Sequence, residues 1–187
     1  MSKDRPIKQS ISYVYLLVII LIITLLSVNV VYADKEIKLL AVEEGVSEAN
    51  GSIATLSLKI VPGNGNVYLD TFPLTQLDTQ ISLRFAKESA CRFVGNGCDK
   101  KDFLYKLRAD SSIVGGPSAG AAGTILTIAE LLDLKIDEDA SITGTINSGN
   151  FIGPVGGVKA KVKAAADSGI TKVLVPRTSY DGFINNS

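Results

Sequence analysis

The sequence predicts a mixed α/β domain behind an N-terminal apolar segment. Three observations carry that prediction. Stretches rich in β-branched residues are interleaved with stretches of helical period, which is the pattern of a mixed α/β chain. Clusters of Gly, Pro and Asn punctuate those stretches. A single strongly apolar run stands ahead of them all.

Lys3, Arg5 and Lys8 precede that run, which extends over residues 13–26 and more weakly to Val31. Val31-Tyr32-Ala33 then places small or apolar residues just before Asp34, as a signal-peptidase site requires. Residues 1–33 are therefore expected to be a signal peptide or, counted from Ile11 to Val31, an uncleaved transmembrane anchor. A buried core helix is the plainer alternative. The basic flank keeps the N-terminus inside, so residues 34–187 are expected to be one extracytoplasmic domain, membrane-anchored or secreted.

Within that domain, residues 37–42 and 52–61 are expected strands around a polar turn at 48–51. Pro62-Gly63-Asn64-Gly65-Asn66 makes a second turn, and 67–72 a third strand. Ile81, Phe85, Ala86, Ser89 and Ala90 recur at helical spacing and predict a helix over 78–93, stopped by Gly95-Asn96-Gly97. Phe103, Tyr105 and Leu107 alternate in a strand over 102–109. Pro117 suits a first helical turn, and the helix should run to Leu134 through Ala122, Ile125, Ile128, Ala129 and Leu132. Residues 141–146 and 151–155 flank Asn147-Ser148-Gly149-Asn150, a hairpin signal. A helix over 158–168 closed by Gly169 and a strand over 172–175 ended by Pro176 complete the order.

Composition narrows function. Lys plus Arg equals Asp plus Glu, so no basic field attracts nucleic acid. Cys91 and Cys98 suit a small disulfide loop in an oxidising compartment; two free thiols are the alternative. Without histidine they are too few to hold zinc, and no metal or cofactor is expected.

Gly116-Pro117-Ser118-Ala119-Gly120 fits the frame in which a serine nucleophile sits on a sharp turn before a helix. That frame normally requires a histidine base, and the chain has none. Either Ser118 is only a residue of a Gly-rich strand-to-helix turn, capping the helix, or another group takes its proton. Lys161 is the candidate base. On a helical wheel it lies about 200° from Lys159 and beside Ala164 and Ala165, away from the flank that carries Lys159 and Lys163. A lysine desolvated there loses its charge readily and can accept a proton; one that snorkels to solvent cannot.

Four segments in order, Gly116 to Gly120, Ser141-Ile142-Thr143-Gly144-Thr145-Ile146, the run from Gly153 to Ala165, and Lys172 to Pro176, resemble the proteolytic domain of Lon proteases. The resemblance covers about residues 36–176. It implies a Lon-type α/β fold and a serine endopeptidase with a Ser-Lys dyad. The family's serine falls on Ser118, its lysine on Lys161, and the threonine that holds the lysine on Thr143. Backbone around Gly116, Pro117 and Ala119 would serve the oxyanion. Gly115 stands where many members carry an acid. Polypeptide substrates and a homo-oligomeric ring are implied as partners. These 187 residues hold no Walker-type sequence, so action without their own ATPase is expected. The family's domain continues past the strand ended by Pro176, so a C-terminally shortened domain or an incomplete reading frame is also expected. Two rival functions remain at this point: a catalytically silent peptide-binding or scaffold domain, and a small-molecule amidase or esterase.

Overall fold

A computed structural model describes residues 13–20, 34–42, 51–95, 97–109 and 115–179. The chain divides into two compact units, Met1–Ala33 and Asp34–Ser187. In the first, residues 13–20 are helical with exposed apolar side chains. Among the described residues no helix is long and apolar enough to cross a membrane. The basic residues Lys3, Arg5 and Lys8, the rest of the apolar run and Val31-Tyr32-Ala33 lie outside the described residues.

The second unit is built on a four-stranded sheet. Strands β1 (Lys35–Val42), β2 (Gly51–Pro62), β3 (Val67–Phe72) and β4 (Lys101–Ala109) lie in the order β1-β2-β4-β3. β1 and β4 run antiparallel to β2, and β3 runs parallel to β4. The parallel pair is possible because helix α1 (Leu77–Val94) provides the crossover. Part of the turn expected at 48–51 lies outside the described residues. Gly63 to Asn66 turn as expected, with Asp102 accepting from the Asn64 and Asn66 N–H groups.

Alternation along the strands separates two cores. Leu39, Leu56, Leu58, Phe103, Tyr105 and Leu107 pack with Leu83 of α1 and with Ala122 and Leu126 of helix α2 (Gly120–Leu131). Leu40 points the other way and packs with Ala165 of helix α3 (Val158–Asp167) and with Ile170. The sheet is thus covered by α1 and α2 on one face and by α3 near β1 and β2 on the other. Tyr105, fully buried, donates to Thr127 Oγ1, which in turn donates to the Gly123 carbonyl. That chain satisfies the phenol inside the larger core.

Several expected elements change in detail. α1 buries Thr79, Ser82, Leu83, Ala86 and Ala90, while Ile81 and Phe85 stand exposed. The buried stripe is small because α1 lies close to α2: a Cβ on Gly123 would meet Leu83 at 2.8 Å and Ala86 at 3.2 Å. α2 ends at Leu131 rather than Leu134, since Asp133 adopts φ 50° and turns the chain. Ile125 and Leu132 of the expected stripe are exposed, and Leu126 takes the core position. The strand expected over 141–146 is two, β5 (Ala140–Ile142) and β6 (Thr145–Ile146). β5 pairs in parallel with β8 (Lys172–Leu174), and β6 forms the expected hairpin with β7 (Ile152–Gly153), shorter than the 151–155 span. Asn147 Oδ1 accepts from Gly149 and Phe151 across the hairpin turn.

Candidate active site

Between β5 and β6, Thr143 and Gly144 leave strand geometry because their backbone groups are used elsewhere. Thr143 N–H donates to Leu174, the Gly144 N–H donates to the Ser118 carbonyl at 3.0 Å, and the Gly144 carbonyl accepts from Ala121 at 2.9 Å. This segment is therefore stitched to the turn that carries Ser118. A Cβ on Gly120 would meet the Ile146 backbone nitrogen at 2.8 Å, so only glycine admits the close approach.

Ser118 sits in a 3-10 turn (Pro117–Ala119) that leads into α2. The residues at the N-cap positions of this turn and of α2 are Gly116 and Ala119, so Ser118 is the cap of neither. Gly116 precedes it with φ 100° and ψ 151°, open to glycine alone. Ser118 lines a small cleft of about 20 Å³ with Leu39, Leu40, Ala41, Thr79 and Gly116, room for one water-sized group. Larger depressions lie elsewhere, such as that of about 200 Å³ between Phe93, Ile125 and Ile152. The smaller one is singled out by Ser118 in its wall, not by size.

Of the backbone positions expected to face an oxyanion, Gly116 has its N–H committed to Asp78 Oδ1 at 3.2 Å, and Pro117 has none. That leaves the first-turn amides near Ser118, of which Ala119 is one, to supply donors at the positive end of α2.

Lys161 projects from the first turn of α3. It is only 2% exposed, packed beside the buried Ala164 and Ala165, while Lys159 and Lys163 reach solvent. The solvent-seeking alternative does not describe this side chain. Its amine donates to Thr143 Oγ1 at 3.2 Å, and Thr143 is itself 1% exposed. Burial lowers the Lys161 pKa from 10.5 to about 8, because the charged form gives up its hydration. Two glycines let α3 sit this close to the sheet. A Cβ on Gly51 would meet the Ala160 carbonyl oxygen at 2.1 Å, and one on Gly157 would meet Val42 at 2.8 Å.

The structure thus joins Lys161 to Thr143 by a side-chain hydrogen bond, and the adjacent Gly144 to Ser118 by a backbone one. Among the described residues no hydrogen bond joins Ser118 to Lys161 directly. Cys91 and Cys98 form a disulfide between the end of α1 and the turn before β4. Gly115 packs on Gln76, whose side chain a Cβ would meet at 2.4 Å. Among the described residues no group of acidic and sulfur ligands could hold a metal.

Sequence reasoning missed Asp78, Thr79 and Ser82. Thr79 donates to the Gly116 carbonyl at 3.2 Å and Ser82 to the Pro117 carbonyl at 3.0 Å, alongside the Asp78 bond to Gly116. No signal local to α1 marks them, because the groups they bond lie in the serine turn, far off in sequence.

Residues 46–185 match the Lon protease (S16) C-terminal proteolytic domain. Lon protease 2 of Thermus thermophilus is 30% identical over 131 residues, covering 68% of this chain and 16% of that protein. Lon protease of Methylocella silvestris is 33% identical over 139 residues, 70% of this chain and 17% of its own length. Archaeal Lon protease of Thermoplasma acidophilum is 26% identical over 146 residues, 76% of this chain and 22% of the relative. The chain therefore spans less than a quarter of the length of these relatives.

Proposed function

The chain belongs to the family of the Lon protease (S16) C-terminal proteolytic domain, a serine protease domain, and from that membership we propose a Ser-Lys peptidase in which Ser118 is the nucleophile and Lys161 its base. The observation that carries the assignment is the buried Lys161 amine, held by Thr143 and lowered by desolvation to a pKa of about 8, so that it loses its proton far more readily than an ordinary lysine. A neutral amine takes the Ser118 proton as the hydroxyl oxygen attacks a peptide carbonyl. The tetrahedral oxyanion lies against the amides of the serine turn, of which Ala119 is one, at the positive end of α2. Protonated Lys161 then donates to the leaving amine, and a water, deprotonated in turn, releases the acyl group. Thr143 orients the lysine throughout.

The substrate is exposed or unfolded polypeptide, and the domain works without an ATPase in these 187 residues. It acts outside the cytoplasm, secreted or anchored by the apolar segment that begins near residue 13. The Cys91–Cys98 disulfide supports an oxidising compartment. Assembly with further copies into a ring is proposed from family membership.

The test is cleavage of an unfolded reporter by the chain beside Ser118→Ala and Lys161→Ala. Loss in both variants with folding intact is expected. No cleavage by the native chain, with peptide binding retained in both variants, would establish a silent binding domain instead. With the base at about 8, kcat/KM should rise about tenfold between pH 7 and pH 9 and then level off. A lysine at 10.5 would give about a hundredfold rise with no plateau over that interval. An acidic optimum excludes Lys161 as the base.

A further inference from the structure

Each backbone carbonyl and amide of the two residues before Ser118 that can hydrogen-bond is held by one turn of α1. Gly116 N–H donates to Asp78 Oδ1 at 3.2 Å, and the Gly116 carbonyl accepts from Thr79 Oγ1 at 3.2 Å. The Pro117 carbonyl accepts from Ser82 Oγ at 3.0 Å. Asp78 Oδ1 also accepts the Thr79 N–H at 2.7 Å, which orients the carboxylate, and lies 3.5 Å from the Thr79 hydroxyl. Thr79 is 1% exposed and lines the cleft beside Ser118.

Gly116 is what these bonds act on. At φ 100° and ψ 151° it occupies a region that persists only when the surroundings over-determine it. Both of its polar groups are taken by adjacent residues, Asp78 and Thr79, so rotating either peptide breaks a bond. The Lys161–Thr143–Gly144 link reaches Ser118 by a different route, through the Ser118 carbonyl. The two supports are separable.

We propose that Asp78 and Thr79 are positioning residues that lock the Gly116 conformer and thereby aim Ser118 Oγ at its base and substrate. This rests on Ser118 being the nucleophile. Neither residue exchanges a proton with substrate; each acts through the peptide it holds.

Thr79→Val keeps the shape and removes the donor, and Thr79→Ser restores the donor. Thr79→Val is expected to lower kcat about 10- to 100-fold, the scale of a small misplacement of a reacting group. KM and the pH midpoint of Lys161 should stay put, Tm should hold within a few degrees, and Thr79→Ser should recover most of kcat. Wild-type kcat in Thr79→Val overturns the proposal. So does a loss that follows Tm and that Thr79→Ser fails to rescue.

Amide hydrogen exchange at Gly116, followed by NMR, reads the clamp without any turnover. Asp78→Ala should speed it at least tenfold, and Asp78→Asn, whose amide oxygen still accepts, should speed it less. Unchanged exchange in Asp78→Ala sinks the clamp. Ser118→Ala separates the two readings: full turnover in that variant refutes the nucleophile, whereas its loss beside a fully active Thr79→Val refutes the clamp alone.

Discussion

Replacing Lys161 by methionine should make the domain more stable while abolishing any proton transfer by that side chain. Lys161 is 2% exposed and its pKa falls from 10.5 to about 8 on folding. Below pH 8 the native state must carry a buried ammonium that the unfolded chain keeps in water. Between the folded and unfolded values the unfolded chain binds the extra proton, so stability rises with pH across that window. A depression of this size penalises folding by about 3 kcal/mol at neutral pH. Methionine matches the stem and removes the charge, but it leaves Thr143 Oγ1 without its donor, an offset of about 1 kcal/mol. Lys161→Met is therefore expected to be about 2 kcal/mol more stable at pH 7. Its advantage should shrink by about 2 kcal/mol by pH 9.5, because above about pH 8 folding releases the lysine proton and that release costs less as pH rises. Urea unfolding of both proteins from pH 7 to 9.5 measures this. The series stops there because burial raises the Tyr105 phenol well above 10.0, which lowers stability as the unfolded phenol ionises. A variant less stable than wild type at pH 7, or a difference that does not move with pH, refutes the desolvated lysine.

Gly51→Ala places a methyl 2.1 Å from the Ala160 carbonyl, so α3 must move away from β2. Thermal unfolding should show a loss of about 1–3 kcal/mol, and reporter cleavage should fall because Lys161 follows Ala160. Unaltered Tm and cleavage would mean the helix seat is looser than this. Replacing Cys91 and Cys98 together by serine opens a short loop and should cost about 2–3 kcal/mol in urea unfolding. Equal midpoints for the wild type with and without reductant would contradict it.

Much of the candidate site was legible where helical geometry alone decides exposure. Lys161 stands on the side of α3 that carries Ala164 and Ala165, and small residues permit the approach that buries it. On α1 the expected stripe held at Ala86, Ser89 and Ala90 and failed at Ile81 and Phe85, where hydrophobicity was equated with burial. The buried face also takes in Leu83 and the short polar Thr79 and Ser82. Those short polar side chains are buried because they bond backbone groups of the serine turn, and those groups take up their directions only once Gly116 is turned. No pattern local to α1 carries that information. The break between β5 and β6 escaped for a similar reason. Its apolar and β-branched residues suit one strand, but Thr143 and Gly144 donate to Leu174 and Ser118 and Gly144 accepts from Ala121, all far off in sequence.

The arrangement explains why such a site needs glycine more than it needs special chemistry. Leu39 and Leu40, neighbours in β1, belong to the two cores on opposite faces of the sheet, one with α2 and one with α3. Ser118 is delivered from the α2 side and Lys161 from the α3 side, and β5, packed along β1, brings Thr143 and Gly144 between them. Ser141 Oγ fixes that register with a 2.7 Å bond to the Lys38 carbonyl. Each approach is closed by a glycine with no room for a Cβ: Gly51 and Gly157 beneath α3, Gly120 against Ile146, and Gly144 against Ile152. A side chain at any of the four pushes apart elements that must converge, whereas a change at the exposed Lys163, paired only within α3 to Asp167, leaves the convergence untouched. The placement of hydroxyl and amine is therefore set by backbone packing, and the dyad proposed for Ser118 and Lys161 depends on where that packing puts them.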